Sequence, residues 1–253
     1  MITVLAIGIG SGSPAHLTAE AAAALNRVDV FLVADKRAET SDLAAIRTDL
    51  CRAVITGHNY RVIEVADPAR DRDPSGYREA VADWHARRAR AYADVITREL
   101  PDGGTLGFLV WGDPALYDST LRIVEQIRAS GVDLALEVYP GISSVQLLAA
   151  RHQMVLNTVG GPIYVTTGRR LVDEFRPDLG TVVVMLDGDL ACGRLVEEHP
   201  DLEIWWGAQL GLADEALIHG RLRDVLPGLT ERRSAIRAER GWVMDVYALR
   251  TAD

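Results

Sequence analysis

Two glycine-rich turns hold the residues best placed to do chemistry. The first is Gly8-Ile9-Gly10-Ser11-Gly12-Ser13-Pro14. The second is Gly112-Asp113-Pro114, inside VWGDPALYDST, residues Val110 to Thr120. Each follows an apolar run and precedes a helical one, the junction at which α/β proteins bind small molecules. The first turn lacks what phosphate chemistry needs. A dinucleotide fingerprint calls for a third glycine where Ser13 stands, and a phosphate loop calls for Gly-Lys-Ser/Thr, with no lysine nearby. Asp35 closes the second apolar run where a nicotinamide fold keeps its ribose-binding acid, but an acid at a strand end is common without that role. Two readings of the loop remain: backbone brought close to a ligand without a phosphate-binding side chain, or a turn that serves packing alone. Asp187, Asp189 and Cys192 lie close together but lack the spacing and histidines of a metal site, so no metal is expected there. Cys51 and Cys192 belong to no C-x-x-C and read as reduced thiols.

These turns need elements to position them. Apolar, β-rich runs predict strands at Ile2–Ile9, Val28–Ala34, Thr105–Trp111 and Leu134–Tyr139. Helices are predicted after the N-cap Thr18, over Leu43–Ile55, over the long amphipathic stretch Ser75–Leu100, over Ser119–Ser130, and from Ser143 to about His152. Val65 to Asp73 reads as a polar loop. His85, Arg87, Arg88 and Arg90 form the polar face of the long helix, which reads as solvated charge. Four strand–turn–helix junctions, at 9–18, 34–43, 111–119 and 139–143, make a parallel doubly wound sheet the first choice. A Gly/Pro break at Asn157–Pro162 divides the chain into domains 1–157 and 158–253. Beyond it, strands are predicted near Ile163–Thr167, Thr181–Leu186, Glu203–Trp206 and Trp242–Leu249, with helices near Leu190–Glu198 and Leu229–Glu239. The expected fold class is therefore α/β: two α/β domains, the N-terminal one a parallel doubly wound sheet and the C-terminal one a mixed sheet, with the active site in the cleft between them.

The totals agree with that class. The 253 residues suit two domains, and 48% hydrophobic with 25% charged residues is ordinary for a globular protein. A net charge of −9 argues against a sequence-independent hold on nucleic acid, which needs clustered basic side chains. It leaves room for an anionic small molecule at a local arginine cluster. Only Lys36 among the 27 basic residues is a lysine. No apolar run approaches the ~20 residues that span a bilayer, and Met1 to Gly12 reads as a first strand rather than a signal peptide. The expectation is a soluble cytoplasmic protein with no membrane contact.

Taken together, GIGSGSPAHLT, VWGDPALYDST, VYPGISSVQLLAA and TVVVMLDGD stand in the order seen in the tetrapyrrole (corrin/porphyrin) methylases, and the chain resembles that family over its whole length. The long segment with DPARDRD and YREAVADWHARRARAY, together with AARHQMVLNT and TTGRRL, is similar to one branch of it. That branch acts in aerobic cobalamin biosynthesis: it methylates ring carbon 1 of precorrin-5 and releases the two-carbon unit as acetate. One departure is visible. The family's first loop usually reads Gly-x-Gly-Pro-Gly-Asp-Pro, whereas Ser11 and Ser13 replace its proline and aspartate here; Pro14 and Leu17-Thr18 are retained.

The resemblance implies S-adenosyl-L-methionine as methyl donor, S-adenosyl-L-homocysteine as product, a tetrapyrrole substrate and a homodimer. Methyl transfer from a sulfonium is an in-line displacement and needs positioning and desolvation more than acid–base groups. By resemblance, Gly112 and Asp113, with Trp111 before them, contact the methionine portion through turn amides, with Leu116 and Pro14 nearby. Ser143 and Ser144 offer hydroxyl and N–H groups. Leu186, or Met185 under a one-residue shift, packs near the adenine, and Gly207 to Leu210 with Val243 and Met244 complete that pocket; Gly207 and Ala208 lead the first of these segments. Loss of acetate asks for a base and a carbonyl-polarising donor. Asp113, Tyr117, His85 and His152 are the candidates, with Asp113 and Tyr117 foremost. The substrate's carboxylates call for guanidinium partners, for which Arg37, Arg70, Arg72, Arg151, Arg169 and Arg170 are placed at element ends or loops.

Overall fold

The computed structural model describes residues 1–35, 41–68 and 76–251. The chain divides into two compact units, 1–143 and 144–253. The division falls ahead of the Gly/Pro break expected at 157/158, because the helix that starts at Ser144 packs against strands of the second unit.

The first unit is a five-stranded parallel sheet. Its strands are β1 (Ile2–Gly8), β2 (Val30–Asp35), β3 (Arg61–Ala66), β4 (Gly104–Val110) and β5 (Leu134–Tyr139), in the order β3-β2-β4-β1-β5. All of its pairings are parallel, as the strand–turn–helix rhythm predicts. Helices α1 (Ala19–Leu25) and α2 (Ser41–Val54) cover one face through Leu25, Leu50, Leu5, Ile7 and Phe31. Helices α3 (Tyr77–Glu99) and α4 (Thr120–Ala129) cover the other through Tyr92, Ile96, Ile123, Ile127, Val4 and Leu106. Both faces are buried, so β1 and β4 read as continuous apolar runs rather than as alternating ones. Strand β3 is not expected from the sequence, which assigns no element to Arg61–Glu64 and places Val65 and Ala66 in a polar loop. Its sequence RVIEVA exposes most of its side chains at the sheet edge, so it carries no apolar run to find.

The second unit is a mixed sheet of β6 (Ile163–Thr167), β7 (Thr181–Met185), β8 (Leu202–Ala208), β9 (Ala216–Arg221) and β10 (Asp245–Thr251), in the order β6-β7-β10-β8-β9. Only β6 and β7 pair in parallel; the other pairings are antiparallel. Helices α5 (Ser144–Arg151), α6 (Gly168–Glu174) and α7 (Leu222–Arg240) complete it. Three departures from the sequence reading have local causes. Edge strand β9, ALIHGR, alternates weakly and was not expected. The segment predicted to be helical near Leu190–Glu198 forms only a 3-10 turn, Ala191–Leu195. Helix α7 begins well before Leu229 because it tolerates Pro227 in its interior. The core is Trp206, Tyr247, Leu229, Val182, Val184 and their neighbours.

Candidate active site

In the first unit the carboxyl ends of β1, β4 and β5 converge, and the two glycine turns are bonded to one another. Gly10 and Gly112 exchange backbone hydrogen bonds of 3.2 and 2.8 Å. Both have φ near +60°, the left-handed region that glycine enters without a Cβ clash. The turn after β5 closes on the same spot. A Cβ on Gly141 would lie 2.0 Å from the carbonyl oxygen of Gly112 and 2.9 Å from the Cα of Gly8. Asp113 holds the arrangement: its Oδ1 accepts the Ala115 N–H at 2.8 Å and its Oδ2 accepts the Gly141 N–H at 2.9 Å.

Around this knot the expected site residues take different settings. Leu116 closes the turn by donating its N–H to the Asp113 carbonyl at 3.2 Å. Tyr117 is 46% exposed at φ +51°, a left-handed setting unusual for a side chain of that bulk. Ser143 is buried. Pro14 is exposed and opens a short 3-10 turn whose N-cap is Ser13, with the Ser13 hydroxyl accepting the Ala15 N–H at 3.3 Å. Ser11 bonds the His16 Nδ1 at 2.7 Å. The two serines that depart from the family pattern thus act inside their own loop. The Trp111 ring packs against Gly12, where a Cβ would lie 2.8 Å from it. The guanidinium of Arg47, from α2, lies over the Trp111 ring at 5.1 Å. The Trp111 indole N–H is buried with no hydrogen-bond partner among the described residues.

In the second unit β7 ends at Met185 and the chain turns through Leu186 at φ +52°, leaving that apolar side chain 67% exposed. A buried polar network holds the turn. Asp187 accepts the Asp189 and Ala191 N–H groups at 3.0 and 2.7 Å and the Tyr247 hydroxyl at 2.5 Å. Arg233 donates to the carbonyls of Asp187 and Gly188 at 2.7 and 2.9 Å and to Asp245 at 2.8 Å. Burial pushes the Tyr247 phenol well above its ordinary range, so it remains a donor. Gln209 is fully buried at φ +53°. Its N–H donates to the Met244 carbonyl at 2.9 Å and its Oε1 accepts the Met244 N–H at 3.3 Å. Its Nε2 is a buried donor without a partner among the described residues. Gly207 and Ala208 are buried beside it, and Val243 packs on the core. Ser144 opens α5.

The other candidates are engaged elsewhere or lie apart. Arg151 pairs with Glu215 at 2.9 Å, and Arg170 pairs with Glu174 one helical turn on. Arg169 is exposed. Arg37, Arg70 and Arg72 lie outside the described residues. His152 donates its Nε2–H to the Trp206 carbonyl at 2.9 Å. His85 is buried with its ring 5.1 Å from that of Trp84. Arg88 is likewise buried, bidentate on Asp67 and 4.1 Å from the Trp84 ring, so His85 and Arg88 are not solvated, whereas Arg90 is exposed and Arg87 forms a surface pair with Asp83. Both cysteines are free and buried, and burial raises their thiols to about 11 for Cys51 and about 12 for Cys192. Neither is a nucleophile at neutral pH.

A doubly wound sheet with a knotted Gly-Asp-Pro turn, followed by a mixed-sheet unit, has a match among known proteins. Residues 3–226 match the model of the tetrapyrrole (corrin/porphyrin) methylases, and the chain belongs to that family. It is 47% identical over 251 residues to the precorrin-6A synthase (deacetylating) of a Sinorhizobium species, covering 99% of this chain and 95% of that protein. The fold superposes on the cobalamin synthesis related protein CobF of Corynebacterium diphtheriae with a TM-score of 0.82, at 37% identity over all of both chains. The uroporphyrin-III C-methyltransferase of Thermus thermophilus, solved in complex with S-adenosyl homocysteine, shares the fold at a TM-score of 0.55 and 21% identity, covering 98% of this chain and 92% of that one.

Proposed function

We propose that this protein is an S-adenosyl-L-methionine-dependent C-methyltransferase of aerobic cobalamin biosynthesis, methylating C-1 of precorrin-5 and releasing acetate to give precorrin-6A. The observation that carries this reading is the near-full-length 47% identity to a deacetylating precorrin-6A synthase, with the family's Gly-Asp-Pro turn intact. The residues present fit the donor. Leu186 offers an exposed apolar surface for an adenine ring, and Gln209, in the segment assigned to the same pocket, keeps a buried amide donor without a partner among the described residues. A buried donor left without a bond is costly and points to an acceptor that arrives with a ligand.

When bound, S-adenosyl-L-methionine supplies a methyl group on a sulfonium leaving group. The chain's part is to orient and to exclude water. Asp113 fixes the turn that carries Trp111, Gly112 and Leu116 toward the methionine end. Ser143 and Ser144 offer hydroxyl and N–H groups to the donor's polar atoms. Met185, Leu186, Gly207, Ala208, Val243 and Met244 serve the adenosine. For acetate release, the exposed phenol of Tyr117 suits a donor to the acetyl carbonyl. Asp113, with both oxygens bonded to backbone, suits a positioning role. We assign the protein to the cytoplasm as a homodimer. No described helix is long and apolar enough to cross a membrane.

The test is incubation of the purified protein with methyl-labelled S-adenosyl-L-methionine and precorrin-5. Labelled corrin and free acetate in equal amounts support the proposal. Methylation without acetate identifies a sister methylase, and neither product removes the assignment.

A further inference from the structure

Beyond the carboxyl ends of β2 and β4, a cavity in the first unit is lined by Arg47, Tyr92, Trp111, Asp118, Ser119 and Thr120 among others. Its polar groups are unevenly matched. Arg88, at its wall, is neutralised by Asp67. Arg47 is partly buried and stacked on Trp111, with no hydrogen bond or ion pair to any described residue. Asp118, the acid facing it, directs Oδ1 to the Thr120 N–H at 2.7 Å. Trp111 lines the same cavity, and its buried indole N–H is a second donor with no partner among the described residues. The Ser119 hydroxyl, at the start of α4, makes no capping bond. Burial lowers the Arg47 pKa, with Asp118 and Tyr92 opposing that shift, and the guanidinium stays charged.

A partly buried cation whose facing acid, Asp118, is shared with the Thr120 N–H, an indole donor without an acceptor among the described residues and a helix N-terminus all favour the same visitor, a carboxylate. We propose that this cavity is a carboxylate subsite in which the Arg47 guanidinium and the Trp111 N–H hold one acidic side chain of the substrate. The inference rests on the reading above, in which the substrate is a tetrapyrrole bearing many carboxylates. It names a residue that the strand-end arginines do not include. Arg47 makes the anionic contact and Trp111 serves as its platform, so the turn that fixes the methyl donor also fixes an edge of the acceptor.

The test measures binding of uroporphyrin III, a stable porphyrin octacarboxylate, of sodium acetate, and of S-adenosyl-L-homocysteine to wild type, Arg47→Gln and Arg47→Lys. Arg47→Gln is expected to weaken uroporphyrin III binding by about tenfold or more, the usual loss for a charge-assisted hydrogen bond. Arg47→Lys should recover part of it. S-adenosyl-L-homocysteine affinity should stay within about twofold of wild type, and the melting temperature of Arg47→Gln should equal or exceed that of wild type. Saturable acetate binding that depends on Arg47 would show the site open to the free product. Arg47-dependent binding of the porphyrin alone would show that it recognises a side chain of the larger molecule. Unchanged uroporphyrin III affinity in folded Arg47→Gln overturns the subsite. Turnover of precorrin-5 by Arg47→Gln with wild-type KM also overturns it and leaves the proposed reaction standing. Arg47-dependent binding by a wild-type protein that methylates nothing supports the subsite and removes the reaction.

Discussion

The Oδ2 of Asp113 accepts the backbone N–H of Gly141 at 2.9 Å, across 28 residues of chain. The acid of the Gly-Asp-Pro turn is thereby a fastener between the turn after β4 and the turn after β5. Its other oxygen closes its own turn on Ala115. Asp113→Asn replaces one acceptor by an NH2 group that must face a backbone N–H. One backbone donor, partly buried at Gly141 or exposed at Ala115, loses its partner, so stability should fall by about 1 kcal/mol. Affinity for S-adenosyl-L-homocysteine should fall with it. Urea unfolding and calorimetric titration of one preparation test both, and full stability with full affinity would refute the fastening role.

Gly141 has no room for a side chain. Gly141→Ala would set a methyl 2.0 Å from the Gly112 carbonyl oxygen, which is backbone and bonded to Gly10. The expected cost is about 3 kcal/mol, the upper end of overpacking penalties. Gly57→Ala tests space against conformation: nothing lies within 4 Å of that position, but φ is +86°. It should cost only the strain of a left-handed alanine, about 1 kcal/mol. Denaturation midpoints of the two variants should therefore differ widely, and equal midpoints would contradict the packing argument.

Leu186 sets stability against binding. Its left-handed φ costs about 1–2 kcal/mol, and its exposed side chain gives little back in the free protein. Leu186→Gly should leave stability unchanged or raise it by up to about 1 kcal/mol, once the entropy of the added glycine is subtracted. Affinity for S-adenosyl-L-homocysteine should drop. A variant that is less stable and binds normally would count against Leu186 as a cofactor contact.

Protonation of His152 should weaken the second unit. Burial holds its pKa below the ordinary value. The repulsive neighbour His219 adds to that, while the Trp206 carbonyl and Glu215 act the other way. The folded state therefore prefers the neutral ring, whose Nε2–H bonds Trp206. As pH falls through about 6.5, the unfolded chain takes up the proton first. Stability should be full above that value and should decline below it until the lowered folded pKa is passed. Unfolding of wild type and His152→Gln followed from neutral to mildly acid pH tests this. The slope should be shallower in the variant, and parallel slopes would show that another group is responsible.

Strands buried on both faces, β1 and β4, were legible in the sequence, and the edge strands β5 and β6 end where their residue patterns end. The edge strands β3 and β9 were not legible: charged, histidine or glycine residues interrupt RVIEVA and ALIHGR and leave no apolar signature. The Gly-Asp-Pro turn was legible because glycine and proline mark turns directly. Arg47 was not, because a helical arginine looks the same whether it faces water or Trp111, and only the packing of α2 decides. The same holds for His85 and Arg88, which looked solvated until Asp67 and Trp84 were found against them. Gln209 gave no sign of its left-handed backbone, which glycine or asparagine would have announced.

The Gly10–Gly112 bridge also bears on competition from other molecules. S-adenosyl-L-methionine shares its adenosine with ATP and the nicotinamide dinucleotides, which are abundant in cells and would contest any pocket built for that nucleoside alone. Those rivals are recognised elsewhere through loop amides left free to embrace phosphate. Here two of those amides, of Gly10 and Gly112, are already bonded to each other's carbonyls. A polyphosphate reaching for those two amides would find them closed, so the same stitch that joins the two turns leaves neither amide for a phosphate loop.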